Sequence, residues 1–147
     1  MLIRFKNEKI INLDNVSNIF VDEDGSKVIF NMNYSVKIFG DKTTPDYIYW
    51  KYSSLQELIS ITRLLNNNIS DWTQPQKMGQ RYVNPKCISS IGTDDSKNRV
   101  IINLCYNITH PKDNNKLTSD FVFFDFTNKE EYRDFYEVHL NNKLKGK

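Results

Sequence analysis

Two long segments of the chain alternate between apolar and polar residues. Apolar side chains occupy the even positions of residues 28–38 and of residues 100–108, whereas most of the intervening positions are polar. A period of two residues with one polar face is typical of an antiparallel strand that buries one side and exposes the other. The pattern therefore predicts two long, half-exposed strands.

Each of these strands has further predicted strands before and after it in the chain. An acidic turn precedes each long strand and a polar loop follows it, and such polar clusters commonly bound hairpin strands. In chain order, the predicted neighbours are a short strand that ends at Asn12 or Asn84, a second strand over residues 16–21 or 88–93, and an aromatic-rich strand over residues 47–52 or 121–126.

A helix is predicted after each aromatic-rich strand. Ser53-Ser54-Leu55-Gln56 and Thr127-Asn128-Lys129-Glu130 both have the pattern of a capping box, which satisfies free backbone N–H groups at the start of a helix. We predict helices over residues 53–66 and 128–143. Their apolar residues recur at i, i+3 and i+4 and should face the sheet. These residues are Leu55, Leu58, Ile59, Thr62 and Leu65 in the first helix, and Tyr132, Phe135, Tyr136, His139 and Leu140 in the second.

The chain is similar to itself when it is shifted by 72 residues. Residues 9–34 then lie over residues 81–106 without a gap, and eight of the 26 aligned positions are identical. An offset of 74 aligns residues 46–52 with residues 120–126. We interpret this match as a duplicated module, since self-similarity at a fixed offset is typical of repeat architectures.

The predicted fold class is α+β. It consists of two tandem repeats, each a four-stranded antiparallel sheet (three to five strands) followed by one C-terminal helix, packed as a pseudo-symmetric pair. Repeat one covers residues 1–66, a linker covers residues 67–80, and repeat two covers residues 81–147. A unit of about 70 residues is marginally stable alone, and this is why we expect the two units to pack together.

Composition supports a strand-rich globular chain. The sequence contains no alanine, the best helix former, and 13% of its residues are aromatic, which favours strands. It also contains 18 Asn and 15 Ile, a bias that an AT-rich coding sequence would produce. The net charge is only +2, far from the basic excess of a typical duplex-DNA binder.

The sequence predicts a cytoplasmic protein without a membrane segment. No apolar run approaches the roughly 18–20 residues that span a bilayer, and the first residues lack the apolar core of a signal peptide. Cys87 and Cys105 are therefore interpreted as free, buried thiols rather than a disulfide.

The search for catalytic and metal-binding patterns favours a non-enzyme with no cofactor. His110 and His139 lack a Cys, Asp or His partner at a ligand spacing, and we predict no metal site. Asp22-Glu23-Asp24-Gly25 begins like a calcium loop, but Asn31 stands where the bidentate Glu belongs, so we interpret the segment as a hairpin turn.

One face of the first predicted sheet is the candidate binding surface. If the alternate residues of the aromatic-rich strand point at the helix, the side chains of Tyr47, Tyr49 and Lys51 point away from it. If the last two strands pair, these residues lie beside Asn31, Asn33 and Lys37. Aromatic rings stack on unpaired bases and Lys contacts phosphate, so this set predicts binding of single-stranded nucleic acid.

The corresponding residues of the second copy favour a different function. There, Phe121 and Phe123 carry no polar atom, and Asp125 replaces Lys51. Such a face is expected to pack against the other copy or against a second chain. Another protein is therefore the alternative partner, in an interaction or assembly module that would include a homodimer.

The predicted architecture resembles known families. Tandem units of antiparallel strands followed by one helix look like the Whirly and Pur-type single-strand binders, and the positive-cofactor transcriptional coactivators have a related plan. This resemblance implies single-stranded nucleic acid as the partner. The segment Asn12-Leu13-Asp14-Asn15-Val16 is similar to short bacterial β-rich modules of the flagellar-regulator type, which implies a protein-binding or regulatory role. A bacterial pleckstrin-homology-like domain is a third resemblance, since it also ends in a helix after curved strands.

Overall fold

Antiparallel strands dominate the structure, as the alternating pattern predicted. The computed structural model describes residues 1–5, 9–72 and 81–140, and it describes side chains in residues 1–4, 10–72 and 81–137. Within these residues the strands are β1 (Leu2–Phe5), β2 (Lys9–Asn12), β3 (Val16–Asp22), β4 (Lys27–Lys37), β5 (Thr43–Lys51), β6 (Arg81–Val83), β7 (Ile88–Asp94), β8 (Arg99–His110) and β9 (Asp113–Asp125).

These strands form three sheets. The first contains the β1–β2 hairpin, the second has the order β5-β4-β3-β6, and the third has the order β7-β8-β9. Short 3-10 turns at Leu13–Asn15 and Pro85–Cys87 lead into β3 and β7. Each turn begins at an asparagine, Asn12 or Asn84, whose side chain accepts a hydrogen bond from the backbone two residues later.

The predicted fold class is wrong. In the described residues the sheets contain two, four and three strands with only two short helices, whereas the sequence pattern predicts two repeats, each with a four-stranded sheet (three to five strands) and one helix. The difference originates at β6, which should open the second repeat but pairs with β3 in the four-stranded sheet, so that Val83 lies opposite Asn18 and Arg81 opposite Phe20. A pseudo-symmetric pair of equal units is therefore not the arrangement of the described residues.

β6 also joins the two hydrophobic cores. Tyr82 is buried in the core beneath the four-stranded sheet, together with Val28 and Phe30, whereas the next residue, Val83, is buried in the core beneath the three-stranded sheet. The buried Asn84 side chain follows and donates a hydrogen bond to the carbonyl of Val16 at 2.9 Å. This polar contact satisfies a buried carbonyl that would otherwise cost free energy.

The first helix, α1 (Leu55–Asn68), begins one residue later than the predicted capping box implies. Ser54 is the N-cap and accepts from the backbone N–H of Glu57 at 3.2 Å, while the Glu57 carboxylate accepts from the backbone N–H of Ser53 at 2.9 Å. The box therefore uses Glu57 rather than Gln56. The buried face also differs from the predicted one: Leu65 and Ile61 are buried, whereas Leu55 and Ile59 are exposed.

The second helix is shorter in its α-helical part than predicted. α2 (Lys129–Arg133) begins after the N-cap Asn128 and continues as a π-helical segment, Asp134–Leu140. Tyr132 and Phe135 are buried as predicted, but Tyr136 is exposed. The side chains of His139 and Leu140, and the predicted end of the helix at residue 143, lie outside the described residues.

The strands of the long hairpins extend further than the pattern predicts. β5 begins at Thr43 and β9 at Asp113, inside the segments interpreted as polar loops. Backbone pairing carries these strands beyond the core, where side chains need not be apolar. For the same reason the alternation no longer predicts burial there: Tyr34 and Ile38 occupy apolar positions but are exposed.

Candidate nucleic-acid interface

The outer surface of the four-stranded sheet carries most of the predicted binding residues. We call the surface formed by Phe20, Lys27, Tyr47, Tyr49 and Lys51 the tyrosine face. On β5, the exposed Tyr47, Tyr49 and Lys51 alternate with Ile48 and Trp50, which pack against the core. The predicted orientation of this strand is therefore the one observed, because burying Ile48 and Trp50 turns their neighbours outward.

Both tyrosines on this face are open to solvent. Tyr47 is 57% exposed and Tyr49 is 44% exposed. Their ring centroids lie 6.4 Å apart with planes inclined by 32°, and the Lys27 ammonium lies 5.7 Å from the centroid of the Tyr49 ring. Two rings at this spacing on one strand form a short aromatic platform beside a cation.

Two lysines of the tyrosine face stand directly opposite each other. The β4–β5 register pairs Lys27 with Lys51, while Asp22 lies opposite Lys27 on its other side. Like charges at directly opposite positions destabilise a sheet. Asp22, Lys27 and Lys51 thus form one row across β3, β4 and β5. The row carries two positive charges and one negative charge, so its net charge is positive.

An arginine at the edge of the face was not recognised in the sequence. Arg81 on β6 lies with its guanidinium 4.6 Å from the centroid of the Phe20 ring and donates to Asn18 Oδ1 at 2.7 Å. Burial lowers the pKa of Arg81, and the negative charge of Asp120 opposes that effect. An Arg side chain stays protonated in proteins, so Arg81 adds a further positive charge beside the platform.

The three remaining predicted binding residues are not equivalent. Asn31 lies opposite Tyr47 on the face, but its side-chain N–H donates to Asn18 Oδ1 at 3.0 Å. Asn33 donates to the backbone carbonyl of Asp14 at 3.3 Å and so supports the first 3-10 turn.

Lys37 is exposed but distant from the platform. It lies beyond the register shift of the β4–β5 hairpin, opposite Thr43. Thr43 and Lys51 are eight residues apart on β5, which corresponds to roughly 25 Å along a strand. The structure therefore brings Tyr47, Tyr49, Lys51 and Asn31 together and leaves Lys37 apart.

The corresponding surface of the three-stranded sheet is different. We call the surface formed by Arg99, Phe121, Phe123 and Asp125 the phenylalanine face. Phe121 is 39% exposed and Phe123 is 45% exposed, with ring centroids 6.3 Å apart. Both rings are therefore exposed in the single chain, so of the two expected coverings, the other copy or a second chain, the other copy does not bury them.

Charges on the phenylalanine face are paired. Arg99 donates two hydrogen bonds to the Asp125 carboxylate, at 2.6 and 2.9 Å, and its guanidinium lies 4.1 Å from the Phe123 ring centroid. The hydrogen bond from Arg99 holds the pKa of Asp125 below its usual value. Asp94 lies opposite Arg99 on the other side, so this row has a net negative charge.

Two residues considered earlier as possible metal ligands form hydrogen bonds within turns of the chain. His110 ends β8, and its Nδ1 accepts from the backbone N–H of Lys112 at 3.0 Å. Asp22 accepts from the backbone N–H of Gly25 at 3.0 Å, as a hairpin turn requires. Among the residues that the structure describes, no cluster of His, Cys, Asp or Glu could hold a metal ion.

No helix in the described part of the chain is long and apolar enough to cross a bilayer.

A cavity of about 410 Å³ lies near the N-terminal residue, away from both faces. Its lining includes Met1, Asp14, Trp72 and Asn84. Two of the polar groups there have partners in the chain: the Met1 amine forms an ion pair with Asp14 at 2.6 Å, and the Asn84 amide donates to the Val16 carbonyl.

Comparisons with protein-family models, with curated proteins and with solved structures found no match. The resemblance to Whirly and Pur-type binders depends on two equal units of strands and helix, and the sheets of two, four and three strands do not have that plan.

Proposed function

We propose that this chain is a small, non-catalytic binding module that takes single-stranded nucleic acid on the tyrosine face. The observation that carries the proposal is the pair of lysines, Lys27 and Lys51, placed opposite each other beside two exposed tyrosine rings. Repulsion between the two ammonium groups costs stability in the free protein. The same pair becomes favourable when a phosphate group lies between the two ammonium groups.

In this proposal the rings and the cations have separate tasks. Tyr47 and Tyr49 each offer a ring face to one base, and stacking contributes about 1–3 kcal/mol per base without regard to sequence. Lys27 and Lys51 contact the phosphates between or beside the stacked bases. Arg81 and Phe20 extend the surface across the sheet towards β6. Because neither stacking nor phosphate contacts read base edges, we expect binding with little sequence preference.

Fluorescence anisotropy tests the proposal directly. Labelled oligothymidylate and oligouridylate of about 12 nucleotides, within the usual site sizes of single-strand binders, are titrated with the whole protein at low salt. We expect saturable binding that weakens with salt with a slope of about −1.4 in log K against log salt, since two lysines contact phosphate. Absence of saturable binding to both oligonucleotides at low salt would contradict the proposal.

The phenylalanine face supplies a matched control. Tyr49→Ala should weaken binding about 5- to 150-fold, the range expected when one stacked base is lost. Phe123 occupies the same position on β9, has a similar exposure and also lies beside a cation, so Phe123→Ala should leave the affinity unchanged. Equal losses in the two variants would mean that binding is not specific to the tyrosine face.

A second candidate function, a protein-interaction or assembly module, is favoured by the phenylalanine face itself. Phe121 and Phe123 expose neighbouring rings without polar atoms, and within the described residues β9, which carries both rings, pairs with β8 alone, so this edge of the sheet is open. Exposed apolar rings beside an open strand edge favour association with a second copy. Sedimentation should then show a dimer that Phe123→Glu dissociates, whereas a monomer at high concentration would contradict this candidate.

A further inference from the structure

The two cysteines, 18 residues apart in the chain, are neighbours in the fold. Cys87 ends the second 3-10 turn, and Cys105 lies on β8. The β7–β8 register pairs Ile88 with Leu104, so one step outward along the hairpin places Cys87 opposite Cys105. Opposite residues of antiparallel strands have Cα atoms about 4.5–5.5 Å apart, and a disulfide spans Cα separations of about 4.4–6.8 Å.

The two thiols have different surroundings. Cys87 is buried and its thiol donates a weak hydrogen bond to the carbonyl of Val16 at 3.9 Å, whereas Cys105 is exposed. The expectation that both thiols are buried is therefore wrong for Cys105, which occupies one of the mostly polar odd positions of β8. Burial raises the pKa of Cys87 to about 11, and the neighbouring Cys105 thiol contributes to the rise.

We propose that Cys87 and Cys105 form an intramolecular disulfide when the folded protein meets a low-molecular-weight disulfide such as glutathione disulfide. This modification site is independent of the proposed nucleic-acid binding. The exposed Cys105 is the point of entry and the buried Cys87 is the resolving residue.

The exchange proceeds in two steps. The Cys105 thiol loses its proton to solvent, and its thiolate attacks one sulfur of glutathione disulfide, which forms a mixed disulfide and releases one glutathione. The Cys87 thiol then attacks the Cys105 sulfur and expels the second glutathione as a thiolate, which takes up the proton that Cys87 loses. The two protein thiols are oxidised and one glutathione disulfide is reduced to two glutathione molecules, so electrons and protons balance.

The bond would connect the second 3-10 turn to β8. That turn also contacts the four-stranded sheet, because Asn84 and Cys87 both donate to the carbonyl of Val16. On oxidation the Val16 carbonyl loses its thiol donor and keeps the amide of Asn84. We therefore expect the disulfide to form without displacing β3.

Mass spectrometry of the whole protein tests this proposal. After incubation with glutathione disulfide and acid quenching, we expect a monomer that has lost two hydrogens. Trypsin should then yield residues 87–97 and 100–112 as one disulfide-linked pair, since it cleaves after Lys86, Lys97, Arg99 and Lys112. A protein that stops at a mixed disulfide, forms only intermolecular dimers or remains unmodified would overturn the proposal.

A comparison with the unfolded chain shows whether the fold brings the thiols together. The equilibrium between the protein disulfide and glutathione is measured in native buffer and in concentrated urea. We expect the native state to favour the protein disulfide by at least about tenfold. An equal or smaller constant in native buffer would mean that the thiols are not juxtaposed, and this test needs no variant.

Single substitutions test the order of the steps. Cys87→Ser should stop at one glutathione on Cys105, whereas Cys105→Ser should remain unmodified in native buffer because only the buried Cys87 is left. Rapid glutathione addition to Cys105→Ser, with circular dichroism that shows a folded protein, would overturn the assignment of Cys105 as the point of entry.

Discussion

The tyrosine face and the phenylalanine face have similar backbones and opposite chemistry. Both lie on antiparallel hairpins with a register irregularity at the same point, between Val16 and Asn18 in one and between Ile88 and Ser90 in the other. One face carries hydroxylated rings and a row of net positive charge, and the other carries plain phenyl rings and a row of net negative charge. The backbone alone therefore does not determine what such a sheet can bind.

The difference in charge is concentrated at a single cross-strand position. Lys27 faces Lys51 on the tyrosine face, whereas Arg99 faces Asp125 on the phenylalanine face. The first pair repels and the second forms a bidentate hydrogen bond. The phenylalanine face thus satisfies its own charges, while the tyrosine face leaves two cations beside each other.

Removing both tyrosines should have the largest effect. Tyr47→Ala/Tyr49→Ala should weaken binding of single-stranded nucleic acid by about 30-fold or more, since two stacked bases at about 1–3 kcal/mol each are lost. Because both side chains are exposed, the thermal midpoint should change little. Anisotropy measures the affinity and circular dichroism the midpoint. If Phe121→Ala/Phe123→Ala weakens binding to the same extent, the contrast between the two faces is wrong.

Reversing one charge on the tyrosine face should change affinity and stability in opposite directions. Lys51→Asp gives Lys27 an opposite charge, so the free energy of unfolding should rise by about 0.2–1 kcal/mol. The salt slope of binding should fall from about −1.4 to about −0.7, because one phosphate contact is lost. Urea unfolding and salt titration measure the two quantities. Lys51→Arg is the control and should preserve both. A Lys51→Asp protein that binds as well as the wild type would contradict the assigned role.

The reciprocal change on the phenylalanine face should only reduce stability. Asp125→Lys breaks the bidentate contact with Arg99 and creates a like-charge pair. The free energy of unfolding should fall by about as much as Lys51→Asp raises it, as the same urea experiment can measure. An unchanged urea midpoint would show that the Arg99–Asp125 pair contributes nothing to stability in solution.

The smallest effect should be a pH dependence of the phenylalanine face. Because Arg99 lowers the folded-state pKa of Asp125 below 3.8, this pair stabilises the protein above pH 3.8 and loses its effect as the pH falls through the folded-state value. Asp125→Asn should therefore be slightly less stable than the wild type at neutral pH. The two urea midpoints should converge on acidification, and a constant difference would exclude this linkage.

The sequence predicts the faces of the strands better than their partners. Alternation along β5 correctly assigns Ile48 and Trp50 to the core and Tyr47 and Tyr49 to solvent, because in a strand the neighbours of a buried residue point outward. The same rule would have placed Cys105 at the surface. Its interpretation as a buried thiol rests on the predicted cytoplasmic location and not on this alternation.

Long-range pairing could not be read from the sequence. Arg81 and Phe20 are 61 residues apart, and only the pairing of β6 with β3 brings them into contact. Self-similarity indicates that two segments prefer the same local structure, but it does not indicate which segment each of them pairs with. The sheets are unequal because the short strand β6 pairs with β3 in the preceding sheet and not within the second repeat.

A strand shared between two cores has a consequence for unfolding. Tyr82 and Val83 are adjacent in the chain but buried in different cores, so neither core can lose its part of β6 without displacing the other. We therefore expect both sheets to melt in one cooperative transition, with calorimetric and van't Hoff enthalpies equal. Separately expressed fragments 1–72 and 81–147 should each be unstable alone and should regain structure when mixed, since each contains a surface that the other completes.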